Sequence, residues 1–322
     1  MKPATNLLAA LFAALLLSST AQAQSYPTRS IRLVVTYPPG GGADVMARLI
    51  SPKLGEFLGQ PVVVENKPGA TGQIAAEFVS KSAPDGYTLM LDASSYVVNP
   101  SLFQKLPYDP LAAFAPITQL AQFPNMVVVS PGFPVNSVKE LIAMAKAKPG
   151  AISFASSGNG SAQHLAAELF RLQAGVNMVH VPYRGGAQAM TDVMAGQIPL
   201  FFANMASGLP HVKSGRLKAL ASTGSRRSPN MPDLPTVAES GLPGYEAYEW
   251  NAVFAPAGTP PAIVNRLHAE IARVLAVADV RDRILQLGGE IVASTPQDTD
   301  RYLRAQMAKW AKVVKDANVK VD

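Results

Sequence analysis

The chain contains no cysteine, which excludes disulfides, thiolate catalysis and cysteine–zinc sites. Its histidines, His164, His180, His211 and His268, are far apart and form no H-x-x-x-H pair, so a histidine-built metal site is not expected. Basic residues exceed acidic ones only mildly, 28 against 22, for a net charge of +6. Beyond Arg226-Arg227 there is no basic block, whereas nucleic-acid binding calls for a clustered stripe. Such a charge steers anions weakly at most. Nucleotide motifs are missing too. No G-x-x-x-x-G-K-[ST] occurs, Gly158-Asn159-Gly160-Ser161-Ala162-Gln163 ends in Gln where G-x-G-x-x-G needs Gly, and Gly40-Gly41-Gly42-Ala43-Asp44 has the wrong spacing. No cofactor is called for.

The chain also has few long apolar runs, and the one that stands out is at the start. Lys2 precedes Leu7–Leu17 (LLAALFAALLL), and Ala21-Gln22-Ala23 is an A-x-A cleavage site. This reads as an export signal over 1–23, since a membrane span needs roughly 20 apolar residues. Gln24, not cysteine, follows the cut, so no lipid anchor is expected. The mature protein is expected free in the periplasm. Without 1–23, the 322-residue chain is near the size, roughly 250–300 residues, at which one core splits into two.

What is present is an alternation of strand and helix. Ile31–Thr36, Pro61–Glu65 and Tyr87–Leu91 read as strands, with helices over Ala43–Leu58 and from about Thr71 to Ser82. Continuous apolar runs of this length fit strands buried on both faces. The pattern then restarts. Met126–Ser130 is a strand, and Ser137-Val138-Lys139-Glu140 is a capping box opening a helix that Pro149-Gly150 stops. Strands Ile152–Ala155, Met178–Pro182, Ile198–Ala203 and Leu217–Ser222 follow, with helices Ala162–Ala174, Gly186–Met194 and Ser207–Val212 between them. A return strand at Glu249–Ala255 rejoins the first unit. The tail is helical, and Thr295-Pro296-Gln297-Asp298 starts a last helix bearing Tyr302, Leu303, Met307, Trp310 and Val314 on one face.

The predicted fold is therefore α/β, with two open, mostly parallel sheets. Extended crossings near Phe114–Pro124 and Tyr248–Pro256 join them. One lobe comprises 24–123 plus 249–322 and the other 124–248. Two strands linking two lobes form a hinge, with a cleft between.

The loops at strand exits are small, polar and rich in glycine: Pro38–Asp44, Pro68–Gly72, Asp92–Ser95, Ser156–Ser161, Arg184–Ala187 and Asn204–Gly208. Glycine at a strand–helix turn can answer backbone needs alone. It also lets a ligand approach main-chain N–H groups, which at a helix start have no intrahelical partner and sit at the positive dipole end. A charge-assisted hydrogen bond contributes about 1.5–3 kcal/mol, so three to five on a carboxylate, less ordering costs, reach roughly micromolar affinity. Asp44 fits either a first-turn capping role or ligand contact, and Arg184 either the cleft or its rim. Tyr37, Tyr96, Phe123, Tyr183 and Trp250 can line a pocket or fill a core. A serine hydrolase using Ser161 and His164 is the rival reading. Yet G-x-S-x-G is absent, and a histidine three residues along the same helix is badly placed as base. Ser161 reads better as a helix N-cap.

Several segments together resemble a known family: YPTRSIRLVVTYPPGGGADVMARLI, VVVENKPGATGQIAAEFV, APDGYTL, LPYDP, FAPIT, ISFASSGNGSAQHLAAELF, VPYRGG, LPTVAESGLPGYE and FAPAGTP. From about Tyr26 to the C-terminus the chain is similar to the substrate-binding proteins of tripartite tricarboxylate transporters, the Bug-type periplasmic receptors. The resemblance implies a Venus-flytrap fold of type II-like form and no catalysis. It implies a monomer that captures a small carboxylate and delivers it to a permease of two integral-membrane subunits. In that family, main-chain amides and ordered waters at the strand–helix loops hold the carboxylate. The matching positions are Gly41, Gly42, Ala43 and Asp44 in the first loop, Ala70, Thr71 and Gly72 in the second, and Ser94 and Ser95 in the third. In the other lobe they are Ser156, Ser157, Gly158, Asn159 and Ser161, then Gly185, Gly186 and Ala187, then Asn204. Tyr37 stands where Phe is common and Arg184 where Lys is common, and both are carried as ligand-binding positions. A sensory receptor that presents its liganded form to a signalling partner would share these features.

Overall fold

The computed structural model describes residues 26–320; the signal segment expected over 1–23 lies outside them. The first sheet grows from the N-terminal apolar run. Strand β1 (Ile31–Val35) is buried except at Arg32 and pairs in parallel with β2 (Val62–Asn66) and β3 (Thr88–Ala93). Between them lie α1 (Gly42–Leu58), a single 3₁₀ turn at Ala70–Gly72 and α2 (Gln73–Ser80). Gly59, at φ 73°, ends α1 in the left-handed conformation that glycine adopts without penalty. Helix α3 (Ser95–Leu102) follows β3 directly. Its sequence carries Pro100 and gave no helical expectation.

The strand β4 (Phe114–Val129) links the two halves of the molecule. A crossing segment and a separate strand at Met126–Ser130 were expected; the two are one continuous 16-residue strand. The strand contains Pro116 and Pro124, and Pro116 sits beside a register shift against β9 (Tyr248–Pro256), where a missing N–H is tolerated. The first part of β4 pairs antiparallel with β9, and its last residues pair antiparallel with β7 (Leu200–Asn204) and β8 (Lys218–Ser222). Outward from β7 run β5 (Ser153–Ser156) and β6 (Val179–Pro182), both parallel. The result is a two-lobed α/β fold whose sheets are parallel on their outer strands and antiparallel where β4 and β9 join them.

Helices cover both sheets: α4 (Val138–Ala147), α5 (Ala162–Ala174), α6 (Gly186–Met194) and α7 (Met205–Lys213), then α8 (Pro261–Ala276), α9 (Ala278–Gln286) and α10 (Pro296–Asp316). A short strand β10 (Glu290–Ile291) adds to β4. The capping signals act locally. Ser137 Oγ accepts from Glu140 N at 3.2 Å, while Glu140 reaches back to Asn136 N at 2.7 Å, one residue earlier than the usual reciprocal bond. Thr295 Oγ1 accepts from Asp298 N at 3.1 Å.

The largest core cluster runs across both halves, from Val34, Met90 and Tyr96 through Trp250 and Phe254 to Phe154, Phe170 and Trp310. The α10 helix closes it from one side. Trp250 has no exposed surface, and its ring meets Tyr302 of α10 edge-on at 5.9 Å. Trp250→Ala removes this buried volume and is expected to cost about 3–5 kcal/mol. Chemical denaturation checks it, and a loss below about 1 kcal/mol contradicts this account of the core.

Candidate functional site

A cavity of about 650 Å³ opens between the lobes, within the range of small-molecule sites. From the first lobe it is lined by Gly40, Gly41, Gly42, Val45 and Met46, the N-terminal turn of α1 and the loop before it. From the second come Gly186, Ala187 and Met190 of α6, then Asn204, Ala206 and Ser207 at the start of α7. The floor is formed by Phe123, Glu249 and Asn251 of the linking strands. Three helix N-termini thus face one space, each with unpaired N–H groups at the positive end of its dipole. Among the described residues no lysine or arginine lines the cavity.

Each rim is fixed by its own sequence. Asp44 is 3% exposed, and its carboxylate accepts from Gly40 N at 2.9 Å, Arg48 Nε at 3.0 Å and Asn66 Nδ2 at 2.8 Å. The Arg48 hydrogen bond, with those of Gly40 and Asn66, outweighs desolvation and lowers its pKa to about 2. Asp44 therefore ties down the glycine loop, the capping alternative of the sequence reading. Asn204 caps α7, its Oδ1 accepting from Ala206 N at 2.9 Å while its Nδ2 donates to Glu249 Oε2 at 2.8 Å. Gln163, in the first turn of α5, donates to the same oxygen at 3.2 Å. Burial raises the Glu249 pKa against these two donors.

The sequence-predicted positions divide by place. Gly41, Gly42, Gly186, Ala187 and Asn204 line the cavity, with Ala43 buried behind them and Gly185 capping α6 at φ 135°. Tyr37 donates to Ser95 Oγ at 2.8 Å, and Ser94 Oγ accepts from Trp250 N at 3.3 Å. Asp92, beneath them, accepts from Thr36 Oγ1 at 2.6 Å, and burial pushes its pKa up to about 6. Ala70 and Thr71 hold φ 45° and 54°, the left-handed region that non-glycine residues rarely occupy. This is why the helix expected from Thr71 begins only at Gln73, after Gly72. Arg184 is exposed and does not line the cavity.

In the Ser156–Ser161 loop, Ser156 Oγ lies 2.6 Å from His180 Nε2, Ser157 Oγ sits by Gly186, and Gly158 takes φ 123° with Asn159 after it. Ser161 Oγ accepts from His164 N at 3.2 Å, and His164 Nδ1 accepts from Gly160 N at 3.1 Å. The histidine is thereby engaged as a structural residue, and its ring stacks at 3.7 Å on His180, a neighbour far away in sequence. Among the described residues no cluster of metal-binding side chains is found, and no helix is long and apolar enough to cross a membrane.

Sequence reasoning missed Glu249 and the apolar wall of Met46, Met190, Met194 and Leu287 in the lining, and Gln163 behind Glu249. The available signal was Glu249 itself, a lone carboxylate beside Trp250 at the head of a buried strand, where charge is rare unless it has a task.

Two lobes joined by β-strands, with a cleft ringed by helix N-termini, define the class of periplasmic solute-binding proteins. The chain belongs to the tripartite tricarboxylate transporter family of receptors, whose family model matches residues 46–319. This is a family of solute-binding receptors, not of enzymes. The chain is 38% identical to BugT of Bordetella pertussis over 95% of its length and 94% of the relative's. Among solved structures it is similar to Rpa4515 of R. palustris with adipate (37% identity, TM-score 0.83, covering 92% of this chain and 99% of that one). It also resembles MatC of Rhodopseudomonas palustris with bound malate (32% identity, TM-score 0.79, covering 90% and 100%).

The depressed Asp44 pKa has a pH consequence. Its contribution to stability is present above the unfolded carboxylate value, 3.8, and is lost as pH falls through about 2. With Arg48 half exposed, Asp44→Asn is expected to cost about 1–2 kcal/mol at pH 7. The difference from wild type should shrink as pH falls from about 4 towards 2. Denaturant titrations across that range check it, and a pH-independent difference contradicts it.

Proposed function

We propose that this protein captures a small organic carboxylate in the interlobe cavity and delivers it to the integral-membrane permease subunits of a tripartite tricarboxylate transporter. In this reading it works as a monomer, exported by cleavage after Ala23 and without a lipid anchor. The observation that carries the proposal is the convergence of the α1, α6 and α7 N-termini on a cavity without lysine or arginine. Such a space holds an anion by dipoles and main-chain N–H groups rather than by ion pairs. The adipate and malate of the two related structures support the same ligand class.

Mechanistically, the acid docks on the N–H of Gly42 at the start of α1 or on those of Gly186 and Ala187. The lobes then close by bending where β4 and β9 leave one sheet for the other. Contacts made only with both lobes engaged favour the closed form, and that form is the one the permease subunits meet. Apolar residues Met46, Met190 and Met194 pack the carbon skeleton, and methionine's flexibility suits skeletons of differing shape. The remaining predicted ligand-binding positions, Ala70–Gly72, Ser94, Ser95 and Ser156–Ser161, lie outside the lining of this cavity.

Titration calorimetry against mono-, di- and tricarboxylates, acidic amino acids and aromatic acids tests this reading. At least one acid is expected to bind at roughly micromolar affinity or tighter. Binding of amines or neutral sugars with no carboxylate bound contradicts it. Capture of the purified liganded protein by permease subunits rather than by a membrane sensor tests the delivery step.

A further inference from the structure

Glu249 is an acid in a cleft proposed for acids. It sits on β9, where the lobes meet, and its Oε2 is held by Asn204 and Gln163 of the second lobe. Its Oε1 has no hydrogen-bond partner among the described residues, and a Cβ placed on Gly42 would stand 3.8 Å from it. The free oxygen therefore points at the N-terminal turn of α1, beside the cavity.

The surrounding charges do not neutralise it. The Arg48 guanidinium is committed to Asp44, outside the cavity. His211 lines the cavity, but burial, then Arg216, push its pKa down, which disfavours its cationic form. Behind Tyr37 lies a second carboxyl, Asp92; burial first, then Asp92 and more weakly Glu249, raise the tyrosine's pKa. A simple dicarboxylate placed here would add its charges to Glu249 with no fixed cation between them, an arrangement that disfavours all the charged forms.

Resting on the carboxylate reading, we infer that the ligand carries a protonated amine as well as a carboxylate, and that Glu249 Oε1 is its acceptor. The carboxylate takes the helix N-termini and the ammonium takes Glu249, so each end of the ligand meets the opposite charge. Asn204 and Gln163 are positioning residues. By holding Oε2 they leave Oε1 as the oxygen that faces the ligand, and because they come from the other lobe they order Glu249 only when the lobes are together. Glu249 is in this sense a specificity-determining residue: it rewards a donor and penalises a second acid group.

The test compares acids of one carbon skeleton with the purified mature protein. The panel is a C5 dicarboxylate, the same skeleton with a 2-hydroxyl, and the same skeleton with a 2-amine, repeated on C4 and on a branched apolar chain. In the wild type the amine is expected to improve affinity by about 10- to 100-fold over the plain acid, the range of one charge-assisted hydrogen bond. In Glu249→Gln, whose side-chain oxygen still accepts from Asn204 and Gln163, that advantage should vanish while plain dicarboxylates bind as well or better. Circular dichroism and melting of the variant confirm that it folds, and the wild-type panel stands without it.

Plain acids that bind while the amine adds nothing overturn this inference and leave the carboxylate reading intact. Equal weakening of every acid by Glu249→Gln gives Glu249 a purely structural part and also overturns it. If no acid binds the wild type, both readings fall.

Discussion

Under the proposed function, the cleft holds an anion without lysine or arginine in its lining. Ion pairs are the simplest way to bind a carboxylate, yet the cavity lining offers none. Main-chain N–H groups and helix dipoles must then supply the field, and they act only if they are fixed, dry and close. Glycine also suits the packing of these turns, since a Cβ on Gly42 would stand 3.8 Å from Glu249 Oε1 and one on Gly186 would crowd Ser157 Oγ at 3.1 Å. Fixity calls for anchors such as Asp44, which joins Gly40, Arg48 and Asn66 in one network, and Asn204, which caps α7 and reaches across to the other lobe.

The fold places these groups by continuity of strands. One strand, β4, serves both sheets, and β9 runs beside it as the chain returns. Strand exits in each half consequently open on the same gap, and residues on β4 and β9 become its floor. The core does not respect the division. Trp250, Phe254 and the apolar face of α10 belong to one cluster with Phe154 and Phe170. Any closure motion therefore has to be absorbed in the linking strands and not by a gap in the core.

Much of this was legible in the chain. Continuous apolar runs such as IRLVV marked buried strands, and glycine loops after them marked the rim, because backbone geometry and burial are local in sequence. Capping at Ser137, Ser161 and Thr295 was legible for the same reason. What could not be read depends on pairing at a distance. The unity of β4 depends on its pairing with β9, including a register shift beside Pro116. Helix α3, containing Pro100, is stabilised by packing on α10 and not by propensity. The stacking of His164 on His180 and the bonds of Glu249 to Asn204 and Gln163 join residues that no spacing rule connects. The export segment rests on its sequence pattern alone.

In the proposed complex, backbone amides at helix starts hold the acid. A crystal structure of the protein with a bound acid tests this most directly. It should place one carboxylate within about 2.7–3.2 Å of amide nitrogens at the start of α1, α6 or α7, between the lobes. An acid lodged elsewhere on the molecule, with this cavity empty, contradicts the account.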